Sequence, residues 1–277
     1  MKFTKMHGLG NDFVLIDSIK TMVNLTTEDI KKIANRKYGV GCDQLLLVEK
    51  SINPMAQFNY RIFNSDGTEV EHCGNGARCV IEYLYNNNYN TNQNISLQIK
   101  DRIISGVKNS HGIVIGMGKP TFTPESIPFH HLLHKNNLDT IKVNNRTIKF
   151  GVVSIGNPHA IIELEDVMLL NNSDNLIHIA KSLQESDMFP NSVNVNFFVK
   201  IDNNTISLLT YERGCGFTLA CGTGATATAC FGIAQNILNE NVTVKNPGGE
   251  LYITWHKDQD ATLTGPAVTV FTGEICL

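Results

Sequence analysis

The stretches EHCGNGARC (residues 71–79) and LACGTGATA (residues 219–227) share the pattern Cys-Gly-x-Gly-Ala. A second pair of motifs precedes them in the same order, GLGNDF at residues 8–13 and SIGNPH at residues 154–159. Counted along the chain, Cys73 lies 62 residues after Asn11, and Cys221 lies 64 residues after Asn157. Two motifs repeated at nearly equal spacing predict a duplicated domain, with chance similarity of short strings as the alternative.

Most of the remaining segments have the composition of short β-strands. They are rich in Val, Ile, Phe and Thr and are bounded by Gly, Asn and Asp, as in FVLID, QLLLVE, FNYRIF and VNVNFFVKI. Four helices are also predicted. One has Thr26 or Thr27 as its N-cap and Gly39 as its stop, and another covers about residues 174–185. The other two begin directly after the two repeated cysteines. The last, GTGATATACFGIAQNIL (222–238), is apolar on nearly every face and is predicted to be buried all round.

The composition excludes several classes of function. The chain has 277 residues, of which 42% are hydrophobic and 18% are charged, values that suit two globular domains. A net charge of −3 without a basic stripe argues against a nucleic-acid partner, and no apolar run reaches the roughly 20 residues of a membrane span. The N-terminus lacks the apolar region of a secretory signal, and seven cysteines fit no closed set of disulfides. We therefore expect a cytoplasmic protein with reduced cysteines and no membrane partner.

Each Cys-Gly-x-Gly-Ala turn is predicted to place a thiol at the start of a helix. The first N–H groups of a helix lack intrahelical acceptors and form the positive end of its dipole. They are expected to lower the pKa of the thiol and to bind the carboxylate of a ligand. With one sulfur on each face of a Cα, a thiolate removes the α-proton while the opposite thiol delivers one, and the configuration inverts. The pattern therefore predicts a cofactor-independent amino-acid epimerase with Cys73 and Cys221 as its acid and base.

Other interpretations of these motifs stay open at this point. A single Cys before a glycine turn is usually a small buried residue, although a duplicated pair favours catalysis. The neighbouring cysteines of each motif are spaced Cys-x5-Cys, wider than the spacing of about two to four residues in structural zinc sites, so no metal is predicted. GTGATA (222–227) matches the dinucleotide fingerprint G-x-G-x-x-A of nucleotide-dependent enzymes, but no apolar strand directly precedes it. The remaining cysteines are interpreted as structural: Cys42, Cys79, Cys215, Cys230 and Cys276.

Taken together, the motifs resemble those of diaminopimelate epimerases. The resemblance rests on GLGNDF, FNSDG with EHCGNGARC, GNPH and YERGCGFTLACGTGA, in this order, and extends from Met6 to the C-terminal GPAVTVFTGE. It implies that LL- and meso-2,6-diaminopimelate are interconverted by two cysteines without a cofactor, on the route to lysine and peptidoglycan precursors. It also implies a homodimer. Proline racemases share the fold but usually lack ERGCG before the second cysteine, and they are the alternative within this fold.

The expected fold is α+β, with two pseudo-symmetric domains that each wrap a curved mixed β-sheet around a central helix. The resemblance implies that the active site lies in the cleft between the domains and that the last strand returns to the first one. The N-terminal half then comprises residues 1–117 plus 264–277, and the C-terminal half comprises residues 118–263. The polar, proline-containing stretch GKPTFTPESIPFHH (118–131) is the predicted linker.

The resemblance further implies roles for individual residues beyond the acid–base pair Cys73 and Cys221. Four positions correspond to those whose amides hold the reacting carboxylate: Gly74, Asn75, Gly222 and Thr223. Seven correspond to those that bind the rest of the substrate: Asn11, Gln44, Asn64, Asn157, Asn194, Glu212 and Arg213. His159 and Glu212 correspond to residues that tune the pKa values of the thiols. Chemically, an arginine can bind a carboxylate bidentately, and a carboxylate with amide carbonyls can accept from ammonium groups. For any one of these asparagines, a simple turn residue is the alternative.

Overall fold

The computed structural model describes residues 1–70, 74–89, 94–130 and 138–277. The chain divides into two compact units. The first unit comprises Met1–Gly116 with Thr264–Leu277, and the second comprises Met117–Leu263. Among the helices in the described ranges, none combines the length and the apolar character needed to cross a membrane.

The described residues form the following elements in chain order. The strands are β1 (Lys2–Gly8), β2 (Asn11–Ser18), β3 (Gln44–Lys50), β4 (Phe58–Asn64), β5 (Glu69–Val70), β6 (Asn94–Ile99), β7 (Arg102–Asn109), β8 (Gly112–Gly118), β9 (Leu138–Val143), β10 (Arg146–Ser154), β11 (Pro158–Glu163), β12 (Asn194–Asp202), β13 (Thr205–Glu212), β14 (Gly216–Thr218), β15 (Asn241–Asn246), β16 (Gly249–Thr254), β17 (Ala261–Gly265) and β18 (Val268–Glu274). The α-helices are α1 (Thr27–Ala34), α2 (Gly74–Asn86), α3 (Ser173–Gln184) and α4 (Gly222–Ala234), and short 3-10 helices cover Pro124–Ser126 and Val167–Asn171.

The two units repeat the same order and direction of strand pairing. In the first unit, β1 to β4 pair in sequence and continue through β6 to β7, in antiparallel, parallel, antiparallel, parallel and antiparallel pairs. In the second unit, β10 to β13 continue through β15 to β16 with the same five directions. Each parallel connection contains a helix, and a short strand, β5 or β14, pairs just before the second helix. The predicted α+β fold with two repeated halves is confirmed.

Each unit has one central helix. In the first unit α2 packs against β1, β2, β3, β7 and β18, and in the second α4 packs against β10, β11, β12, β15 and β16. Ten of the 13 residues of α4 are buried, which confirms the prediction of a helix buried all round. Its interior hydroxyls on Thr226 and Thr228 donate to backbone carbonyls one turn earlier, so no buried hydroxyl is left unpaired there. The helix ends at Ala234, earlier than predicted, because Asn236 adopts a left-handed conformation (φ 59°).

The helix α1 begins as predicted but ends earlier. Thr26 is its N-cap and forms a capping box with Asp29. The helix ends at Ala34, although Gly39 is the stop that the sequence suggests. The side chain of Asn35 accepts hydrogen bonds from the backbone N–H groups of the second and third residues after it, which stabilises a turn in place of another helical turn. The local side-chain turn therefore ends α1 before the glycine is reached.

The predicted linker is only partly accounted for by the structure. Its middle residues, Pro124–Ser126, form a 3-10 helix, and Ile127 and Phe129 are buried in a core cluster of the second unit with Phe150, Phe189 and Leu183. These apolar contacts make the described part of the stretch an integral piece of that unit. Its last residue, His131, lies outside the described residues.

Close packing of α4 on β10 yields a stability prediction at Gly151. A Cβ atom at this position would lie 2.1 Å from Cε2 of the buried Phe231 ring, whereas a Cβ at the exposed Gly116 has nothing within 4 Å. Gly151→Ala is therefore expected to lower the free energy of unfolding by about 1–3 kcal/mol. Gly116→Ala, measured by the same denaturant titration, should change it by less than about 0.5 kcal/mol. Equal stabilities of the two variants would contradict this packing.

Candidate active site

In the first unit, four of the predicted substrate-binding residues are hydrogen-bonded in two pairs. Gln44 begins β3 and Asn64 ends β4; the two are register partners, and Gln44 Nε2 donates to Asn64 Oδ1 at 3.0 Å. Asn11 begins β2, and its Oδ1 accepts from Asn75 Nδ2 of α2 at 3.3 Å. Because β2 pairs with β3 and β3 with β4, the strand ends place the amide side chains along one edge.

A charged cluster that sequence reasoning missed holds Asn11. The carboxylate of Asp43 accepts from Asn11 Nδ2 at 3.0 Å and from Arg36 Nη2 at 2.7 Å. Arg36 also makes a bidentate pair with Asp12 at 2.6 and 2.9 Å, and Lys5 donates to the same carboxylate. Burial alone raises the pKa of Asp12, but the hydrogen bonds from Arg36 and Lys5 outweigh it and hold this pKa well below its usual range. The sequence did not indicate this contact, because Asp43 and Asn11 lie far apart along the chain.

The guanidinium of Arg78 is a second feature that sequence reasoning missed. Arg78 is fully buried in α2, and its Nη2 donates to Asn75 Oδ1 at 2.9 Å while its Nε donates to the Pro266 carbonyl at 3.3 Å. Because the amide nitrogen of Asn75 donates onward to Asn11, Arg78 fixes the orientation of the Asn75 side chain. The sequence could have predicted this contact, because the spacing of three residues between Asn75 and Arg78 places both on one helix face.

The helix α2 begins at Gly74, directly after the first predicted catalytic thiol. Gly74 and Asn75 are both buried in its first turn, where backbone N–H groups lack intrahelical acceptors. Cys73 itself lies outside the described residues, and its role stays a prediction.

In the second unit, Cys221 is the N-cap residue of α4. Its side chain is buried and makes no capping hydrogen bond. The sulfur lies 3.5 Å from Thr223 Oγ1, and the nearby backbone N–H of Gly224 favours the charged form of the thiol. The predicted thiol therefore lies at the start of a helix, among the donors that sequence reasoning expected there.

The glycines of GTGATA allow close packing inside the second unit. A Cβ at Gly222 would lie 3.3 Å from Leu263 Cδ1, and a Cβ at Gly224 would lie 2.5 Å from Asn196 Oδ1. These contacts account for both glycines without the close approach of a pyrophosphate that the nucleotide interpretation requires.

The prediction of a lowered thiol pKa is wrong for Cys221. Burial, and next the negative charge of Glu212, raise the pKa of this thiol well above its ordinary value. The Thr223 hydroxyl and the Gly224 N–H act in the opposite direction but are outweighed. The sequence pattern predicted the effect of the helix start on this pKa but not the effect of burial. Cys221 therefore holds its proton at neutral pH.

Glu212 and Arg213 follow one another at the end of β13. The Glu212 carboxylate accepts from Thr218 Oγ1 at 2.6 Å. The backbone N–H of Arg213 donates to Asn194 Oδ1 at 3.0 Å, and its guanidinium donates to the Asn191 carbonyl at 2.7 Å. The structure thus brings together three of the predicted residues, with the Arg213 side chain exposed at the surface of the unit.

His159 is fully buried between two asparagines. Its Nε2 lies 3.2 Å from Asn157 Oδ1, and its Nδ1 lies 3.0 Å from Asn196 Nδ2. Burial, and next the positive charge of Arg213, lower the pKa of His159 to about 3. The imidazole is therefore neutral at pH 7. Asn157 also donates to Thr223 Oγ1 at 3.5 Å, which links His159 to the neighbourhood of the Cys221 thiol.

The lowered pKa of His159 yields a prediction for stability against pH. Below about pH 6.5 the unfolded chain binds a proton on this imidazole, whereas the folded chain does not until about pH 3. The stabilisation is complete above pH 6.5 and is lost as the pH falls. Between pH 7 and pH 5, wild-type protein is expected to lose about 2 kcal/mol of unfolding free energy that His159→Gln does not lose. His178→Gln, at an exposed position of α3, should keep the wild-type slope. Parallel stability curves for the wild type and His159→Gln would contradict a neutral, buried imidazole.

The other cysteines divide into two groups. Cys42, Cys79 and Cys230 are buried, which supports the structural interpretation, whereas Cys215 and Cys276 are exposed, so for these two it stays a prediction. In the part of the chain that the structure describes, no group of three or more His, Cys, Asp and Glu side chains is placed to hold a metal ion.

Comparisons with known proteins identify relatives over nearly the whole chain. The family model described as diaminopimelate epimerase matches residues 3–123 and again residues 151–270. A diaminopimelate epimerase of Coxiella burnetii is 42% identical over 276 residues, which cover 99% of this chain and 98% of the relative. Among solved structures, a phenazine biosynthesis protein of the PhzF family from Bacillus anthracis has a TM-score of 0.68 at 17% identity, covering 100% of this chain and 99% of that one. A hydroxyproline epimerase from Agrobacterium vitis has a TM-score of 0.66 at 14% identity, covering 99% and 91%. These two solved structures have the same fold as this chain.

Proposed function

This chain belongs to the diaminopimelate epimerase family, and from that premise we propose that it interconverts LL- and meso-2,6-diaminopimelate without a cofactor. The reaction inverts one α-carbon by a 1,1-proton transfer. It lies on the route to lysine and to peptidoglycan precursors. The match of the family model to both halves of the chain supports an isomerase of this family over a proline racemase; a probable proline racemase from Agrobacterium radiobacter shares the fold at 14% identity.

In the proposed step, Cys73 and Cys221 act as base and acid on the same Cα. The Cys73 thiolate removes the α-proton, and the electron pair of the C–H bond is delocalised into the adjacent carboxylate. The Cys221 S–H bond breaks as its proton passes to the opposite face of Cα. The products are the inverted amino acid, a Cys73 thiol and a Cys221 thiolate, and the reverse reaction runs with the roles exchanged.

The buried thiol of Cys221 at the N-cap of α4, 3.5 Å from the Thr223 hydroxyl, is the observation that carries this proposal. Burial and Glu212 keep the proton on the sulfur before the reaction. The Thr223 hydroxyl and the Gly224 N–H stabilise the negative charge that appears on the sulfur as the proton leaves. One sulfur is thereby equipped to be a proton donor in one direction and a thiolate base in the other.

The carbanionic charge needs its own stabilisation, since an α-hydrogen is a far weaker acid than a thiol. We assign this to the first-turn backbone amides of the two central helices, at Gly74, Asn75, Gly222 and Thr223. Preorganised donors aimed at a developing negative charge typically supply about 3–4 kcal/mol each when measured by removal. The buried first turns of both helices support this assignment.

The distal amino-acid group of diaminopimelate requires partners that proline does not. We assign the carboxylate of this group to Arg213 and its ammonium to acceptors on Glu212 and on the asparagine side chains. The remaining substrate contacts are assigned to Asn11, Gln44, Asn64, Asn157 and Asn194. Their hydrogen bonds to one another and to the backbone hold these amides in fixed orientations, which supports a preorganised site.

Solvent deuterium exchange tests the proposed function. Purified, reduced protein in D2O is incubated with LL-diaminopimelate or with L-proline, and the α-carbon is analysed by mass spectrometry and chiral separation. Deuterium at Cα and formation of the meso isomer are expected for diaminopimelate alone, with no added cofactor. Exchange of proline instead would favour a racemase, saturable NAD or FAD binding would favour a nucleotide-dependent enzyme, and binding without exchange would indicate a non-catalytic protein.

A homodimer and a cytoplasmic location remain part of the proposal. The strand β18 pairs with β1 and exposes the apolar side chains of Val268, Val270 and Phe271, with 43%, 55% and 47% of their surface accessible. Such a row supports self-association, because exposed apolar patches are common at protein interfaces. Sedimentation analysis of the purified chain measures the mass directly, and a monomer at micromolar concentration would contradict the dimer.

A further inference from the structure

A path of hydrogen-bonded side chains crosses the interior of the second unit. Thr210 Oγ1 donates to Asn196 Oδ1 at 3.0 Å, Asn196 Nδ2 lies 3.0 Å from His159 Nδ1, and His159 Nε2 lies 3.2 Å from Asn157 Oδ1. Three of these residues, Thr210, Asn196 and His159, are buried. Neither the repeated motifs nor the family resemblance gives Asn196 or Thr210 a role.

The path continues from Asn157 to the proposed catalytic sulfur. Asn157 Nδ2 donates to Thr223 Oγ1 at 3.5 Å, and Thr223 Oγ1 lies 3.5 Å from Cys221 Sγ. All of its members belong to the second unit. One hydrogen-bonded path therefore joins a buried strand residue, Asn196, to Cys221.

Asn196 determines which atoms of this path donate hydrogen bonds and which accept them. Its Nδ2 also donates to the Ala160 carbonyl at 3.3 Å, and a carbonyl oxygen can only accept a hydrogen bond. The amide nitrogen must therefore face Ala160 and His159, so Nδ1 of the imidazole is an acceptor. Since the ring is neutral at pH 7, its single proton is on Nε2.

Each following group then has one allowed orientation. The Nε2–H of His159 donates to Asn157 Oδ1, which leaves the amide nitrogen of Asn157 facing Thr223. The Thr223 oxygen accepts from that nitrogen, so its own proton is available for the sulfur of Cys221. With the proton on Nδ1 instead, Asn157 would turn over, the Thr223 hydroxyl would donate to Asn157, and the sulfur would lose this donor.

We propose that Asn196 is a positioning residue that fixes the tautomer of His159 and thereby directs the Thr223 hydroxyl onto the sulfur of Cys221. The packing of α4 supports this assignment. A Cβ at Gly224 would lie 2.5 Å from Asn196 Oδ1 and 3.0 Å from Thr210 Oγ1, so the first turn of the helix is built around this pair. The kinetic consequence rests on the proposed function, whereas the tautomer does not.

The charged residues of the second unit that act on this path are Glu212 and Arg213. Glu212 raises the pKa of the Cys221 thiol, and Arg213 lowers the pKa of His159. Loss of the Thr223 donor adds to the effect of Glu212, so the thiol pKa rises further. In a two-thiol site, the basic limb of the pH profile of kcat/KM reports ionisation of the thiol that must stay protonated.

Nitrogen NMR of the histidine rings, with pH-dependent kinetics, tests the proposal. Asn196→Leu removes the donor at similar volume, and Thr228→Val is the matched control, because it removes a buried hydroxyl of α4 that bonds only the Gly224 carbonyl. In the wild type and in Thr228→Val, the His159 ring, assigned by its absence in His159→Gln, should carry its proton on Nε2. In Asn196→Leu the proton should be shared between both nitrogens.

The kinetic readout should follow the tautomer. For Asn196→Leu we expect kcat/KM to fall by about three- to tenfold and the basic limb of its pH profile to move to higher pH, with neither change in Thr228→Val. A single Nε2–H tautomer and an unshifted limb in Asn196→Leu would overturn the proposal. If this variant does not fold, the wild-type spectrum still decides, because a ring protonated on Nδ1 contradicts the derived path. A wild type without epimerase activity would refute the proposed function and leave the tautomer measurement intact.

Discussion

Replacement of Cys221 by alanine is expected to lower kcat for LL-diaminopimelate by about 10³-fold, the order that a positioned general acid or base contributes. The alanine variant lacks the thiol that burial and Glu212 keep protonated, so the group that delivers a proton to Cα in the proposed step is missing. Cys73→Ala is expected to have an equally large effect, because it removes the other base. Epimerisation is measured by chiral separation, and folding by circular dichroism.

Cys276→Ala is the control for this prediction. Cys276 is exposed near the C-terminus, so its replacement removes a thiol without disturbing either repeated motif. Its kcat should remain within about twofold of the wild type, in line with the small effect of most surface substitutions. If either Cys73→Ala or Cys221→Ala epimerised normally, one base would serve both faces and the two-thiol mechanism would be refuted.

The repeated motifs were sufficient to predict that the domain is duplicated. Two Cys-Gly-x-Gly-Ala turns implied two equivalent helix starts, and the structure has equivalent helices, α2 and α4, in units with identical strand pairing. The family resemblance is confirmed over nearly the whole chain. These features are local in the sequence, since the glycines, the apolar run of α4 and the cap at Thr26 each act on their immediate neighbours.

The electrostatics of the site could not be predicted in the same way. The rule for a thiol at a helix start gave a lowered pKa for Cys221, but the direction of the shift is decided first by burial, which the rule does not include, and next by Glu212 at the end of β13. Asp43 and Asn196 were missed for a related reason. Each acts through a partner distant in the sequence and in a different element, and single-sequence patterns carry no information on such contacts.

In the proposed function, Arg213 binds the distal carboxylate of the substrate and takes no part in the proton transfer. Its guanidinium is held at the end of β13 by the Asn191 carbonyl, while its backbone N–H is held by Asn194, so the side chain is preorganised for a planar anion. We expect Arg213→Met to raise KM for diaminopimelate by about 10- to 100-fold, the equivalent of one or two hydrogen bonds to a charged group. Because the distal carboxylate is far from the reacting Cα, kcat should change much less.

Two further variants separate charge from geometry. Arg213→Lys keeps the positive charge but loses the bidentate fork, so its KM should lie between those of the wild type and Arg213→Met. Arg146→Met removes an exposed arginine from β10 of the same unit and should leave KM unchanged. A fall in kcat at constant KM in Arg213→Met would mean that this residue acts on the proton transfer, through its charge on His159, and not on substrate recognition.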